Sequence, residues 1–128
     1  MAIGLKMVST TINKSFNQRV YRLARRIPKG KVVTYGQIVS KLKSENGKYE
    51  GVFSMNRKVK INPRTVGCSL HQNKDQSVPC YRVVDRNGRI AKNFAFGGAC
   101  EQRKRLLAEG VKFKDEMHVE LDSCRWQE

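Results

Sequence analysis

Asn62-Pro63-Arg64-Thr65-Val66-Gly67-Cys68-Ser69-Leu70-His71-Gln72 is the stretch that decides the fold. Asn before Pro is an N-cap followed by proline at the first helical position, where a missing N–H costs nothing. The spacing predicts a helix running to about Gln72, with Val66 and Leu70 turned inward. Upstream, Thr34-Tyr35-Gly36-Gln37 reads as a capping box opening a second short helix, with Ile38, Val39 and Leu42 as its apolar face. Two short helices in this order form a helix-turn-helix variant. In such a motif the second helix enters a DNA groove, and its early residues, here Arg64, Thr65 and Cys68, reach the bases.

Working outward, Ser15-Phe16-Asn17-Gln18 is a further capping pattern, and Phe16, Val20, Leu23 and Ile27 repeat at helical spacing, so residues 15–27 form an amphipathic helix with a basic outer face. Pro28-Lys29-Gly30 stops it, and Val32-Val33 is a short extended piece. Residues 43–60, rich in Lys, Asn, Gly and Ser, lose the periodicity and read as a basic loop or insertion, or a hairpin. After the loop 73–77, Val78-Pro79-Cys80-Tyr81-Arg82-Val83-Val84 leads into the turn Asp85-Arg86-Asn87-Gly88. Gly97-Gly98 precedes a last helix with Leu106 and Leu107, which ends at Glu109 with Gly110 as its stop. Val111 to Phe113 and Val119 to Leu121 are expected to pair as terminal strands, with Trp126 capping the core. The expected fold is mainly α with short strands: a winged helix-turn-helix-like single domain over residues 15–128, preceded by an N-terminal extension, 1–14.

The 128 residues suffice for one core, and 26 Lys and Arg against 11 Asp and Glu give a formal charge of +15. That balance fits a polyanion, because each phosphate neutralised releases condensed counterions. The basic residues are spread along the chain, and no stretch approaches the ~18 apolar residues of a membrane span, so a membrane partner is not expected. Met1-Ala2-Ile3-Gly4-Leu5-Lys6 lacks the apolar core of a secretory signal, which points to the cytoplasm, beside the nucleoid, or to the nucleus. Four cysteines, Cys68, Cys80, Cys100 and Cys124, lie at no metal-ligand spacing to His71 or His118, so no metal or other cofactor is expected and the thiols are free.

A nucleophilic thiol needs a raised thiolate fraction and access. Pro79 fixes the backbone before Cys80, Arg82 lies two residues on, and the chain's field is positive. Cys68, Cys100 and Cys124 are expected to be packed or incidental thiols, and His71 and His118 surface residues.

The ordered pieces Val33-Thr34-Tyr35-Gly36-Gln37-Ile38, Pro63-Arg64-Thr65-Val66-Gly67, Pro79-Cys80-Tyr81-Arg82-Val83-Val84, Gly97-Gly98 and Leu107-Ala108-Glu109-Gly110 resemble the C-terminal domain of O6-alkylguanine-DNA alkyltransferases from about Ser15 to Gly110. The resemblance implies a monomer that binds double-stranded DNA containing O6-alkylguanine, flips the damaged base and takes its alkyl group onto Cys80 in a single turnover. It implies that Arg64 fills the vacated stack and Tyr35 rotates the phosphate and hydrogen-bonds the flipped base. Gly67 permits close approach of DNA, Leu70 walls the lesion pocket, and the carbonyls of Cys80 and Val83 receive the guanine amino group. Ala95 or Phe96 offers a backbone donor to the guanine oxygen, Asn73 orders the active-site turn, and Glu109 ends the family's proton relay. Arg82 joins the DNA-contacting set by its charge. The recognition helix is expected in the minor groove, where sequence is poorly read.

Three departures from the family pattern matter. The family has His after the reactive Cys, where this chain has Tyr81, a poor base at neutral pH with a reference pKa of about 10. Next to the family pattern, the sequence also reads as lacking the separate N-terminal domain, and residues 43–60 read as an added segment. These changes, and Arg125-Trp126-Gln127, are similar to the alkyltransferase-like proteins, which bind lesions without chemistry but replace the reactive Cys. A transferase and a lesion-binding module therefore both stand; a helix-turn-helix regulator leaves the Pro-Cys-Tyr-Arg segment without a purpose.

Overall fold

The computed structural model describes residues 16–46, 53–54, 57–58 and 60–127. The extension 1–14 and the capping residue Ser15 lie outside the described residues. Helix α1 covers 16–25 and its chain tightens through bonds from Arg26 N–H and Ile27 N–H to the carbonyls of Leu23 and Ala24. Strand β1 (Val33–Thr34) runs directly into helix α2 (Tyr35–Asn46). The capping box forms as read: Gln37 N–H donates to Thr34 Oγ1 at 3.1 Å and Thr34 N–H to Gln37 Oε1 at 2.9 Å.

The loop expected from residue 43 is corrected at its start, because α2 continues through Asn46. Lys and Ser there are compatible with a solvated helical turn, so lost apolar periodicity did not mean lost helix. Strands β2 (Phe53–Ser54) and β3 (Arg57–Lys58) then pair antiparallel as a hairpin. Helix α3 (Pro63–His71) follows, with Asn62 Oδ1 accepting from Thr65 N–H at 2.9 Å and Asn62 N–H donating to Thr65 Oγ1 at 3.1 Å.

Cys80–Arg82 form one 3-10 turn that leads into strand β4 (Val83–Val84), parallel to β1 with Val33 opposite Val83. Helix α4 (Gly98–Ala108) ends on Glu109 and on Gly110 at φ 89°, the left-handed stop that glycine adopts without strain. It is not the last helix, since Leu121–Cys124 form a short α5. The expected terminal strand pair reduces to one antiparallel bridge, Phe113 with Val119, because Leu121 already turns helical.

The β1–β4 ladder divides the core. Alternation along a strand sends Val33 and Val83 to a cluster with α1, α2 and α3, and Val32 and Val84 to a second with Ile90, Leu106, Val111 and Val119. The result is mainly helical with short strands. Among the described residues no helix is long and apolar enough to cross a membrane.

Candidate functional site

Helix α3 presents two faces. At 100° per residue Arg64, Gly67, Cys68 and His71 share one side, and Val66, Ser69 and Leu70 share the other. The first set is exposed or half-exposed and the second is buried. Helix α1 holds the buried side. Tyr21 OH donates to Ser69 O at 2.7 Å, Ser69 Oγ donates to Asn17 Oδ1 at 2.7 Å, and Arg25 pairs with Asp75 at 3.2 Å across exposed surface. A Cβ at Gly67 would meet nothing within 4 Å, so the glycine serves no packing need inside the protein.

Cys80 lies behind α3, 6% exposed. Asn73 Nδ2 donates to its sulfur at 3.1 Å, and the thiol faces Leu70 O at 3.8 Å. Asn73 is itself fixed, donating to Asp75 O at 2.8 Å and accepting from Asp75 N–H at 2.9 Å. Burial pushes the thiol up to about 11, against the lowering effect of the Asn73 hydrogen bond, and the Asp75 charge raises it further. The expected positive surroundings are therefore overruled by loss of solvent. Tyr35, half-buried at the start of α2, is close enough for the thiol and Asp85 to reinforce burial in raising its phenol.

Arg82 is a correction. Instead of facing phosphates, its guanidinium grips Glu109 with Nε to Oε1 at 3.0 Å and Nη2 to Oε2 at 2.7 Å, and donates to Ile27 O at 2.7 Å. Their side chains are only 14% and 7% exposed. Tyr81 OH donates to Glu109 Oε2 at 2.6 Å and Gly30 N–H to Oε1 at 3.3 Å. Gly30, at φ 85°, could not carry a side chain here without strain, and its Cβ would lie 3.1 Å from Glu109 O. Burial raises the Glu109 carboxyl, but Arg82, Tyr81 and Gly30 together hold it below its ordinary value. Tyr81 is raised by burial first and then by the Glu109 carboxylate, so its hydroxyl is a donor and not a base.

Two further groups of expected contact atoms already carry hydrogen bonds inside the fold. Thr65 spends its hydroxyl inside the fold, donating to Lys60 O at 2.6 Å while closing the capping box. The Val83 carbonyl already accepts from Gln102 Nε2 at 3.3 Å, and Cys80 O accepts from Val83 N–H. Ala95 and Phe96 line a cavity of about 300 Å³ with His71, Gln72, Asn73 and Lys74, which puts their loop beside the residue that bonds the thiol.

Sequence reasoning missed Gln102, Arg105 and the positioning role of His71. Gln102, fully buried, accepts from Ala91 N–H at 2.7 Å and donates to Tyr81 O at 3.1 Å. A polar residue four before Leu106 on the inward face of α4 was the available signal. Arg105 lies 5.7, 5.4 and 5.8 Å from the Tyr81, Phe94 and Phe96 rings, holding the 94–96 loop to the 3-10 turn. His71 Nδ1 meets Asn93 O at 2.9 Å and closes the same loop against α3.

Residues 15–111 match the family model of the 6-O-methylguanine DNA methyltransferase DNA-binding domain. The chain belongs to this family. It is 32% identical over 113 residues to the DNA base-flipping protein of Escherichia coli K12, covering 88% of this chain and 74% of that protein. A bifunctional methyltransferase/endonuclease of Thermoplasma volcanium is 27% identical over 110 residues, and the match spans 85% of this chain but 30% of that protein. In structure it is similar to S. pombe Atl1 in complex with damaged DNA containing O6-carboxymethylguanine, with a TM-score of 0.62, 28% identity, and coverage of 90% of this chain and 97% of that one. The methyltransferase family thus includes relatives named for alkyl transfer and relatives named for base flipping.

Proposed function

We propose that this protein flips O6-alkylguanine out of duplex DNA and accepts the alkyl group on Cys80. The observation that carries this reading is the thiol held by Asn73 at 3.1 Å directly behind the outward face of α3. Arg64 at the exposed start of that helix enters the stack, Tyr35 attends the rotated nucleotide, and Gly67 lets the backbone of the duplex approach. Extrusion is required because a stacked base hides its edge, at a cost of a few kcal/mol. Leu70 and the 95–96 loop flank the base, and the carbonyls of Cys80 and Val83 receive its amino group, with Val83 shared with Gln102.

Sulfur attacks the alkyl carbon in line, the S–C bond forms, and the C–O6 bond breaks. The departing guanine takes up the N1 proton that the lesion lacks, which balances the proton lost by the thiol. No resident base is consumed, but one must carry the proton in transit, and Glu109 is occupied by Arg82, Tyr81 and Gly30. With the thiol at about 11, roughly one molecule in ten thousand is thiolate at pH 7. Transfer is therefore slow and limited by ionisation.

The same tied-off carboxylate favours a second reading, a damage sensor that binds the flipped base and leaves Cys80 idle. Intact-protein mass after incubation with a duplex carrying one O6-methylguanine separates them, with Cys80→Ser as control. A stoichiometric gain of one methyl group, absent in the variant, supports transfer. Lesion binding without a mass change from neutral to alkaline pH leaves the sensor.

A further inference from the structure

The cavity of about 300 Å³ beside the 95–96 loop begins one side chain away from the sulfur, since Asn73 lines it and Asn73 Nδ2 lies 3.1 Å from Cys80 Sγ. Phe96 gives it a half-buried aromatic wall. The side-chain acceptors around it are already engaged. Asn73 Oδ1 accepts from Asp75 N–H at 2.9 Å and Gln72 Oε1 from Asn17 Nδ2 at 3.3 Å, while His71 Nδ1 faces the Asn93 carbonyl at 2.9 Å. The Gln72 amide nitrogen and the exposed Lys74 ammonium remain as donors, and Lys74 has no hydrogen-bond or ion-pair partner among the described residues. No carboxylate stands among the described lining residues. Asp75, next in the chain, gives its oxygens to Arg25 and Ser77.

We propose that this cavity selects lesions whose O6-alkyl group ends in an anion, with Lys74 as the specificity-determining residue. The inference rests on the reading that a flipped O6-alkylguanine is held against Cys80, and it extends that reading to the substrate class. For the sulfur to meet the alkyl carbon, that carbon has to lie where Asn73 bonds the thiol, so atoms beyond it run into the space that Asn73 lines. A methyl group has nothing to place there. A carboxylate carried on the same carbon meets donors, and Lys74 reaches it on a flexible four-carbon stem. A neutral substituent of equal size gains the Phe96 wall but no charge partner. Because the ammonium is exposed, the preference belongs to the range of a solvated ion pair and is screened by salt.

Duplexes carrying O6-carboxymethylguanine and its neutral isostere O6-carbamoylmethylguanine differ by one charge and almost no volume. Competition titrations on Cys80→Ser, which leaves the lesion intact, give their affinity ratio, with O6-methylguanine and unmodified duplexes alongside. The expected ratio favours the carboxylate roughly fivefold at low salt and shrinks as salt rises. Adding Lys74→Met should erase the preference and Lys74→Arg should keep it. Lys112→Met removes the same charge between Val111 and Phe113 of the second core cluster, and should leave the ratio unchanged. Equal binding of the two isosteres overturns the proposal, as does a preference that survives Lys74→Met, which would trace it to the overall charge of +15. In both cases the O6-methylguanine duplex still outbinds the unmodified one. Loss of that preference instead overturns the lesion reading, and the proposal with it.

Discussion

Tyr81 and Glu109, 28 positions apart, share a 2.6 Å hydrogen bond in which the phenol donates to the carboxylate. A residue that occupies the place of the family's histidine is thereby turned away from proton acceptance. Transfer to Cys80 should gain about tenfold in rate per pH unit from pH 6 to 9 without a plateau, since ionisation stays incomplete below about 11. Single-turnover rates across that range test this. In Tyr81→His, an imidazole with a reference pKa near 6.5 should lift the neutral-pH rate and flatten the profile.

Glu109→Gln leaves Arg82 charged and poorly paired, and removing one partner of a buried pair costs about 3 kcal/mol. Thermal unfolding should show Tm lowered by on the order of 10 °C. The native carboxyl is held below its ordinary value, so its stabilisation is present above the unfolded pKa, near ~4.3, and is lost as pH falls through the folded one. The Tm gap between wild type and variant should therefore close on acidification and persist at pH 7; a constant gap would contradict the ion-pair account.

The thiol has the opposite linkage. Above its unfolded pKa, near ~8.5, the unfolded chain releases a proton that folded Cys80 keeps up to about 11. Stability should fall with rising pH in that window by at most about 1.4 kcal/mol per unit. Melting curves of wild type and Cys80→Ala between pH 8 and 10 should diverge, with the wild type carrying the steeper slope, since burial also raises the Cys124 thiol that the variant keeps.

Gly67→Ala separates packing from DNA approach. With no atom within 4 Å of the added methyl, α3 should gain roughly 0.5–1 kcal/mol from the better helix former. Duplex affinity should nevertheless fall, because the methyl faces outward between Arg64 and His71. Unchanged affinity would remove this face of α3 from the DNA interface.

Arg64 and Arg82 should behave differently in salt titrations of duplex binding. Arg64→Ala should weaken lesion preference by ~1–3 kcal/mol, its guanidinium having been exposed at the head of α3. Arg82→Ala should leave the salt slope unaltered while lowering Tm, because its charge is already neutralised by Glu109.

What the sequence determined by itself is local. The capping boxes Thr34–Gln37 and Asn62–Thr65, the inward pair Val66 and Leu70, and the stop at Gly110 form within a few residues, where backbone geometry leaves few alternatives. The order of motifs around Cys80 likewise carried the family. Tertiary structure alone decided the chemistry of the site. Arg82 looked available for DNA until a carboxylate 27 positions away claimed it, and Gln102 became the support of the 3-10 turn only when α4 packed beneath it. Cys80 looked activated by neighbouring charge until burial reversed the sign. Ionisation and hydrogen-bond commitment depend on which distant groups exclude water from an atom, and spacing along the chain does not encode that.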